Sequence, residues 1–293
     1  MGVTARTRVA AVIGHPVRHS LSPLLHNAAF GALGLDWLYV ALDVAPGEAA
    51  GAVAGMRVLG GLDGLNVTMP HKAGVAAAVD RLSAEAAALG AVNTVVREGD
   101  RLAGHNTDGA GFLAALRAGS TLELGGRRCL VVGGGGAARA VVLALGGTDV
   151  GEIVVAARRP EAAASAAGLV PGRARPGTVD EADTADLVVN ATPVGMDGVA
   201  GPFGPAPGDR WAGAVPVEPA RLGPGQVVVD LVYQPLETGL LAAAHERGAA
   251  TVNGVGMLLH QAAAAFRLWT GADAPLEAMS GALAAELEAR RSP

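Results

Sequence analysis

Cysteine, lysine and long apolar runs are what this chain of 293 residues has least of. Its one cysteine, Cys129, sits inside the apolar run RCLVVG. A lone buried thiol forms no intrachain disulfide and behaves as a small hydrophobe, so the cytoplasm is the expected compartment. No run of about 18 apolar residues is free of Gly, Pro or charge, so no membrane span is expected. The N-terminal stretch MGVTARTRVAAVIGHP carries two arginines and a short apolar run that ends at Gly14-His15-Pro16. It lacks a small-residue cleavage pattern and reads as a first strand rather than a signal peptide. C-x-x-C and H-E-x-x-H are missing, and Pro16 disfavours a helix joining His15 to His19, so no catalytic metal is expected. G-x-S-x-G is missing too, which leaves a serine-hydrolase nucleophile unsupported. Charged residues make up 17% against 51% hydrophobic ones, a balance that favours packed cores over disorder. Basic residues number 22 and acidic ones 27, and the charge of −5 argues against nucleic acid as the main partner.

Of the 22 basic residues, 21 are Arg and one is Lys, at position 72. A coding bias toward Arg is harmless on the surface, where either cation solvates well. It is not harmless where chemistry needs an amine that can release its proton, because a guanidinium cannot. Lys72 is therefore a candidate catalytic residue, with chance survival as the alternative.

Strand-like and helix-like patterns alternate along the first third. RVAAVIG, WLYVALDV and GLNVTMP read as strands, the last ending at Pro70. LLHNAAFGALG and GEAAGAVAGMRVL read as helices, the first with Ser22 as N-cap and Pro23 in the first helical position. AVNTVVR and RLAGHNT form a hairpin closed by a Gly-Asp turn, followed by a helix over DGAGFLAALRAG. A new unit starts near Arg127. RCLVVGGGGAARAVVLALGG is strand, glycine turn and helix; EIVVAARR, ADLVVNATP and QVVVDLVY are further strands, and PEAAASAAGL a further helix. Such alternation implies a mostly parallel, doubly wound sheet. The Gly- and Pro-rich stretch 195–225 reads as a surface loop. MLLHQAAAAFRLWTG and PLEAMSGALAAELEARR read as closing helices.

Gly133, Gly135 and Ala138 fit G-x-G-x-x-A after a strand and at the start of a helix, the context this fingerprint requires. Gly133 permits the tight turn, Gly135 lets a pyrophosphate approach the backbone, and Ala138 lets the helix pack closely. The helix N-terminus offers its N–H groups to the anion. A flexible Gly turn is the alternative. The next strand ends Ala157-Arg158-Arg159 without the carboxylate that holds a ribose 2′-hydroxyl. Two guanidiniums suit a 2′-phosphate, which predicts NADP(H) over NAD(H), with two solvated surface arginines as the alternative. Polar residues recur at the strand ends: Ser20 and Ser22; Asn66, Thr68 and Lys72; Asn93 and Thr94; Asn106, Thr107 and Asp108; and Gln261. Each alone reads as a cap or turn residue. Together they lie where open α/β sheets bind ligands, and they suit a small polyhydroxylated one.

The run GHPVRHSLSPLLHN resembles the opening signature of the shikimate dehydrogenase family, G-x-P-x-x-H-S-x-S-P-x-x-H-N. NVTMPHK, GAVNT, NTDG, the glycine turn, NATPVGM and GMLLHQAAAAF match further family blocks in the same order. The resemblance implies an α/β fold of two α/β domains. An N-terminal substrate domain, residues 1–109, is completed by the C-terminal helices, residues 254–293, around an inserted Rossmann-like nucleotide domain, residues 110–253. The implied activity is reversible NADPH-dependent reduction of 3-dehydroshikimate to shikimate, in chorismate and aromatic amino-acid biosynthesis. Quinate/shikimate and aminoshikimate dehydrogenases, NAD-dependent ones among them, are the alternatives, and a non-catalytic NADP-binding sensor is the rival outside the enzyme class. The family's catalytic pair falls on Lys72 and Asp108. Its substrate site falls on that pair with Ser20, Ser22, Thr68, Asn93, Gln261 and Tyr233. Its cofactor site falls on Gly133, Gly134, Gly135, Gly136, Ala137 and Ala138, on Arg158 and Arg159, and on Asn190, Thr192 and Gly254. Tyr233 and Gly254 stand where the family closes its cleft. Ala157 and Arg159 depart from the Asn and Thr that often flank the family's arginine, and Gly239 stands where Pro is frequent. His105, before Asn-Thr-Asp, reads as a hairpin-edge histidine. A small-molecule substrate and a monomer or homodimer are expected.

Overall fold

The computed structural model describes residues 2–196, 199, 201–204 and 214–290, so the expected loop at 195–225 lies partly outside the described residues. The chain divides into two compact units, residues 1–107 with 261–293, and residues 108–260.

The first unit contains β1 (Arg8–Gly14), α1 (Ser22–Ala32), β2 (Trp37–Asp43), α2 (Ala49–Val58), β3 (Leu62–Val67), α3 (Lys72–Ala78), β4 (Arg81–Leu82), α4 (Ala84–Leu89), β5 (Thr94–Glu98) and β6 (Arg101–His105). Its sheet has the order β2-β1-β3-β5-β6-β4. β1 pairs in parallel with β2 and β3, while β5 runs antiparallel to both β3 and β6. β1 lies inside the sheet, which is why RVAAVIG is a near-continuous apolar run. Along β3 the side chains alternate. Leu65 and Val67 enter a core with Val53, Met56 and Val75. Gly64 lies against the Trp269 indole, where a Cβ would come within 2.6 Å of the ring. The hairpin turn has Gly99 at φ +62° between Glu98 and Arg101, as the Gly-Asp signal required.

Three local readings change. α1 starts at Ser22 with Leu21 in the cap position, because Leu21 O accepts the first helical bond from Leu25 N–H at 3.2 Å, while the Ser20 hydroxyl accepts from Ser22 N–H at 3.3 Å just before it. β3 stops at Val67 rather than Pro70: the chain turns there, with His71 N–H donating to Thr68 O at 3.0 Å. α3 and α4 were not expected. Ser83, which accepts from Ala86 N–H, and left-handed Gly90 bracket α4.

The second unit contains α5 (Asp108–Gly119), β7 (Arg128–Val132), α6 (Gly136–Gly146), β8 (Glu152–Ala156), α7 (Pro160–Ala167), β9 (Ala174–Pro176), β10 (Leu187–Asn190), β11 (Val227–Asp230), α8 (Gly239–Glu246) and β12 (Ala250–Val252). α9 (Gly254–Thr270) begins here, and its residues from Gln261 onward belong to the first unit, as does α10 (Leu276–Ala289). All six strands are parallel, in the order β12-β11-β10-β7-β8-β9. Counted from β7 this is the doubly wound order 3-2-1-4-5-6, whose direction reverses between β7 and β10. Separate apolar cores cover the two sheet faces. Cys129 is buried in one of them, and burial pushes its thiol up to about 12, so it is inert filling.

Candidate functional site

In the first unit, the ends of β3, β5 and β6 bring the expected polar residues into one hydrogen-bonded ladder. Tyr39 Oη donates to Asn66 Oδ1 at 2.7 Å. Asn66 Nδ2 donates to Thr94 Oγ1 at 3.0 Å, and Thr94 Oγ1 donates to Asn93 Oδ1 at 2.9 Å. Asn93 Nδ2 donates to Thr107 Oγ1 at 2.9 Å, and Thr107 Oγ1 donates to Gln261 O at 3.1 Å. The orientation of both amides in this relay is forced. The Thr107 backbone N–H, 2.9 Å from Asn93 Oδ1, can only donate, so that atom must be the oxygen. The Asn93 nitrogen then faces Thr107, whose own proton has Gln261 O at 3.1 Å and Asn93 Oδ1 at 3.3 Å as acceptors. Thr94, spending its proton on Asn93, must accept from Asn66, which leaves the Asn66 oxygen for Tyr39. Both amides are thereby held in one orientation.

The other candidates of this unit stand close in the fold. Val67 N–H donates to Asn93 O at 2.8 Å, which sets Thr68 beside Asn93. A Cβ on Gly14 would lie 2.4 Å from the Thr68 methyl, so glycine there makes room for Thr68. Lys72 is half-buried in the first position of α3, and its carbonyl accepts from Val92 N–H at 3.0 Å, next to Asn93. Ser20 and Ser22 are half-buried around the start of α1, and the Ser22 hydroxyl lies beside Tyr39. Burial pushes the Tyr39 phenol well above its ordinary range, with Ser22 opposing, so it stays a neutral donor. Asn106 Nδ2 donates to Ala91 O at 3.0 Å. His105 ends β6 half-buried, and burial with nearby Arg81 holds its imidazole below the ordinary value. Tyr39 and the joining role of Thr94 were not foreseen; aromatic scarcity, two tyrosines in the chain, was the available signal for Tyr39.

In the second unit the glycine turn has the shape the fingerprint requires. Gly133 has φ +127°, and a Cβ there would fall 2.9 Å from Ala191 O. Gly134 abuts the Ala162 backbone, where a Cβ would come within 3.0 Å of its carbonyl carbon. A Cβ on Gly135 or Gly136 would meet nothing within 4 Å, so open space stands in front of the α6 N-terminus. Ala138 is fully buried and packs the helix onto the sheet. This donor-lined opening beside the β7–β10 reversal fits a pyrophosphate. Arg158 is exposed beyond β8, and Arg159 approaches Glu161 at 3.9 Å, so two cations and no carboxylate end that strand.

Asp108 is the first residue of α5 and nearly buried, and Tyr233 is half-buried after β11; both belong to the second unit. A Cβ on Gly254 would collide with Leu231 O at 2.3 Å, so this residue is held to glycine by close backbone approach. Asn190 ends β10. It is fully buried, with both amide hydrogens committed to Val194 O and Asp230 Oδ1 at 2.9 Å and its oxygen to Thr192 N and Oγ1 at 3.0 and 2.7 Å. Through these bonds it shapes the loop that carries Thr192.

The family model described as shikimate dehydrogenase substrate binding domain matches residues 12–95, and that described as shikimate 5′-dehydrogenase C-terminal domain matches residues 254–284. A shikimate dehydrogenase (NADP(+)) of Moorella thermoacetica is 44% identical over 96% of this chain and 94% of the relative. Among solved structures, a shikimate dehydrogenase in complex with NADP+ is 36% identical with a TM-score of 0.87, covering 98% of each chain. Shikimate 5-dehydrogenase from Thermus thermophilus, in complex with NADP(H) and shikimate, is 39% identical with a TM-score of 0.83, covering 95% of this chain and 99% of its own.

Proposed function

The chain belongs to the shikimate dehydrogenase family, and on that premise we propose that it catalyses the reversible NADPH-dependent reduction of 3-dehydroshikimate to shikimate. The observation that carries this reading is the chain's one lysine at the first position of α3, beside the oriented amide of Asn93. The first unit is the substrate side and the second the NADP(H) side.

NADPH, when bound, supplies the hydride. As the substrate carbonyl accepts it, negative charge grows on the oxygen. Lys72 Nζ stabilises that charge and donates the proton, and in the oxidative direction takes it back from the hydroxyl. Asp108 holds the amine and accepts from ring hydroxyls. Ser20 and Ser22 grip the substrate carboxylate, and Thr68, Asn93, Gln261 and Tyr233 fix the remaining groups. On the other side Gly133 to Ala138 cradle the pyrophosphate, Thr192 borders the nucleotide, and Arg158 with Arg159 holds the 2′-phosphate. The acidic net charge favours small molecules over nucleic acid as partners, and the lone buried cysteine suits the cytoplasm; the reading takes the enzyme as a monomer or homodimer.

The test is a panel of shikimate, quinate and aminoshikimate, each with NADP+ and NAD+. The expected result is highest kcat/KM for shikimate with NADP+. Lys72→Ala should still bind both ligands yet lose at least about a hundredfold in kcat, the scale of general acid–base catalysis. Near-normal turnover by that variant would remove Lys72 from the chemistry.

A further inference from the structure

Asp230 ends β11 fully buried, and the chemistry above does not use it. Its Oδ1 accepts from Asn190 Nδ2 at 2.9 Å and from Val232 N–H at 3.0 Å, and its Oδ2 accepts from Thr238 Oγ1 at 2.6 Å. A carboxylate is an acceptor only, and three donors converge on it. The orientation of Asn190 follows from both sides. Thr192 N–H requires the amide oxygen at its end, and Asp230 requires the amide nitrogen at the other.

Asn190 in turn shapes the chain from Ala191 to Val194, through Thr192 N and Oγ1 on one atom and Val194 O on the other. That stretch forms one wall of the glycine turn. Ala191 N–H donates to Val132 O at 2.8 Å, and Ala191 O is the atom that leaves no room for a side chain on Gly133. The far end of the loop returns to the same carboxylate. Gly195, at φ +103°, brings the chain back so closely that a Cβ there would sit 3.4 Å from Thr238 and 3.7 Å from Asp230 Oδ2. Thr238 also caps α8, accepting from Leu241 N–H at 3.3 Å. The β7–β10 reversal, where a doubly wound sheet takes its ligand, thus has one side built on Asp230.

We propose that Asp230 is a positioning residue for dinucleotide binding: through Asn190 it holds Ala191–Val194 against Gly133 and keeps the glycine turn open to a pyrophosphate. This rests on the assignment of NADP(H) to the second unit. Asp230→Ala strips the acceptor from three donors and lets the loop move. Asp230→Asn keeps an oxygen for Asn190 and Val232 and offers its amide to Thr238, so it should restore the arrangement. Thr238→Val breaks the third bond and the α8 cap without touching the link to Asn190.

NADPH affinity is measured by calorimetry without substrate, and KM for shikimate at saturating NADP+. For Asp230→Ala the expected rise in the NADPH Kd is about tenfold, the scale of one hydrogen bond to a charged group, with KM for shikimate within about twofold. Asp230→Asn should return to within about threefold of wild type, and Thr238→Val should lower Tm with less than about threefold effect on NADPH. If Asp230→Ala does not fold, Asp230→Ser, which retains one acceptor, is measured in the same way with the same expected loss. An unchanged Kd in the folded Ala or Ser variant overturns the proposal. So does an equal loss in Thr238→Val, a parallel loss of both ligands, or no recovery in Asp230→Asn. A wild-type chain that binds no NADPH overturns the cofactor reading and this inference with it, whereas binding that ignores Asp230 overturns this inference alone.

Discussion

Replacing His26 with leucine should make the first unit more resistant to acid. The ring is fully buried on α1, stacked on Tyr39 at 4.4 Å and tilted against Trp269 at 5.1 Å. Neither ring nitrogen has a hydrogen-bond partner among the described residues. Burial pushes its pKa down from 6.5 to about 3; Asn66 opposes this in part without reaching hydrogen-bonding geometry. In the unfolded chain the ring titrates near its ordinary value. The folded-state pKa is the depressed one, so this contribution to stability is present above about 6.5 and is lost as the pH falls toward 3. At about pH 5 the unfolded ring is mostly protonated and the folded one is not; linkage then gives a loss of about 2 kcal/mol relative to about pH 8. Leucine has similar volume, does not titrate and breaks no hydrogen bond. The unfolding free energy of His26→Leu should therefore gain on wild type by about 2 kcal/mol between about pH 8 and about pH 5. Asp230 acts in the opposite sense. Burial raises its pKa from 3.8 to about 6, so its contribution is complete below 3.8 and lost as the pH rises through about 6. Both proteins carry it, and it cancels in the difference. Urea unfolding across the pH range, read by circular dichroism and by tryptophan fluorescence, measures the quantity directly. A difference that does not change with pH would refute the sealed, neutral ring and the packing of α1 against β2 that seals it.

The two kinds of glycine in the turn should separate experimentally. Gly135→Ala meets open space and should leave Tm within about 2 °C while weakening NADPH by about tenfold, whereas Gly133→Ala, strained at φ +127° and against Ala191 O, should lower Tm as well. Thermal melts paired with NADPH titrations check this, and equal Tm losses would contradict it. Thr94→Val cuts the relay between Asn66 and Asn93 and should cost about 1–2 kcal/mol of stability and about tenfold in kcat/KM for shikimate, while Thr94→Ser should keep both. Urea unfolding and steady-state kinetics decide the case, and a Val variant that matches Ser would show the relay to be unimportant. Arg158→Ala should raise KM for NADP+ by about tenfold and leave KM for NAD+ unchanged, since only the former carries a 2′-phosphate. Equal effects on the two cofactors would remove Arg158 from that role.

How much of this was legible in the sequence depends on what each feature is made of. The buried strands β1, β7, β8, β10 and β11 announce themselves because a strand covered on both faces is apolar without a break. The Ala-rich stretch carrying α3 and α4 has little apolar–polar contrast, so only the caps of α4 mark a helix. β4, β9 and β12 are two or three residues long and leave no period to read. Lys72 was visible by scarcity and the glycine turn by spacing, since both are facts about residue type and order. Asp230 was not: QVVVDLVY carries a carboxylate at a strand end and nothing says that it faces inward. What identifies it is register. β10 and β11 align so that Asn190 stands opposite Asp230, although 40 residues separate them. The first unit repeats the device, for β3 and β5 align Asn66 with Thr94. In each case a cross-strand polar pair sits where an apolar sheet reaches a candidate ligand site, and each pair sets the orientation of an amide. Residue type indicates which chemistry a position can offer, and the partner that fixes its direction is supplied by strand pairing. Single-site changes at the second member of each pair, Thr94 and Asp230, should therefore alter ligand affinity even though their proposed action on the ligand is indirect.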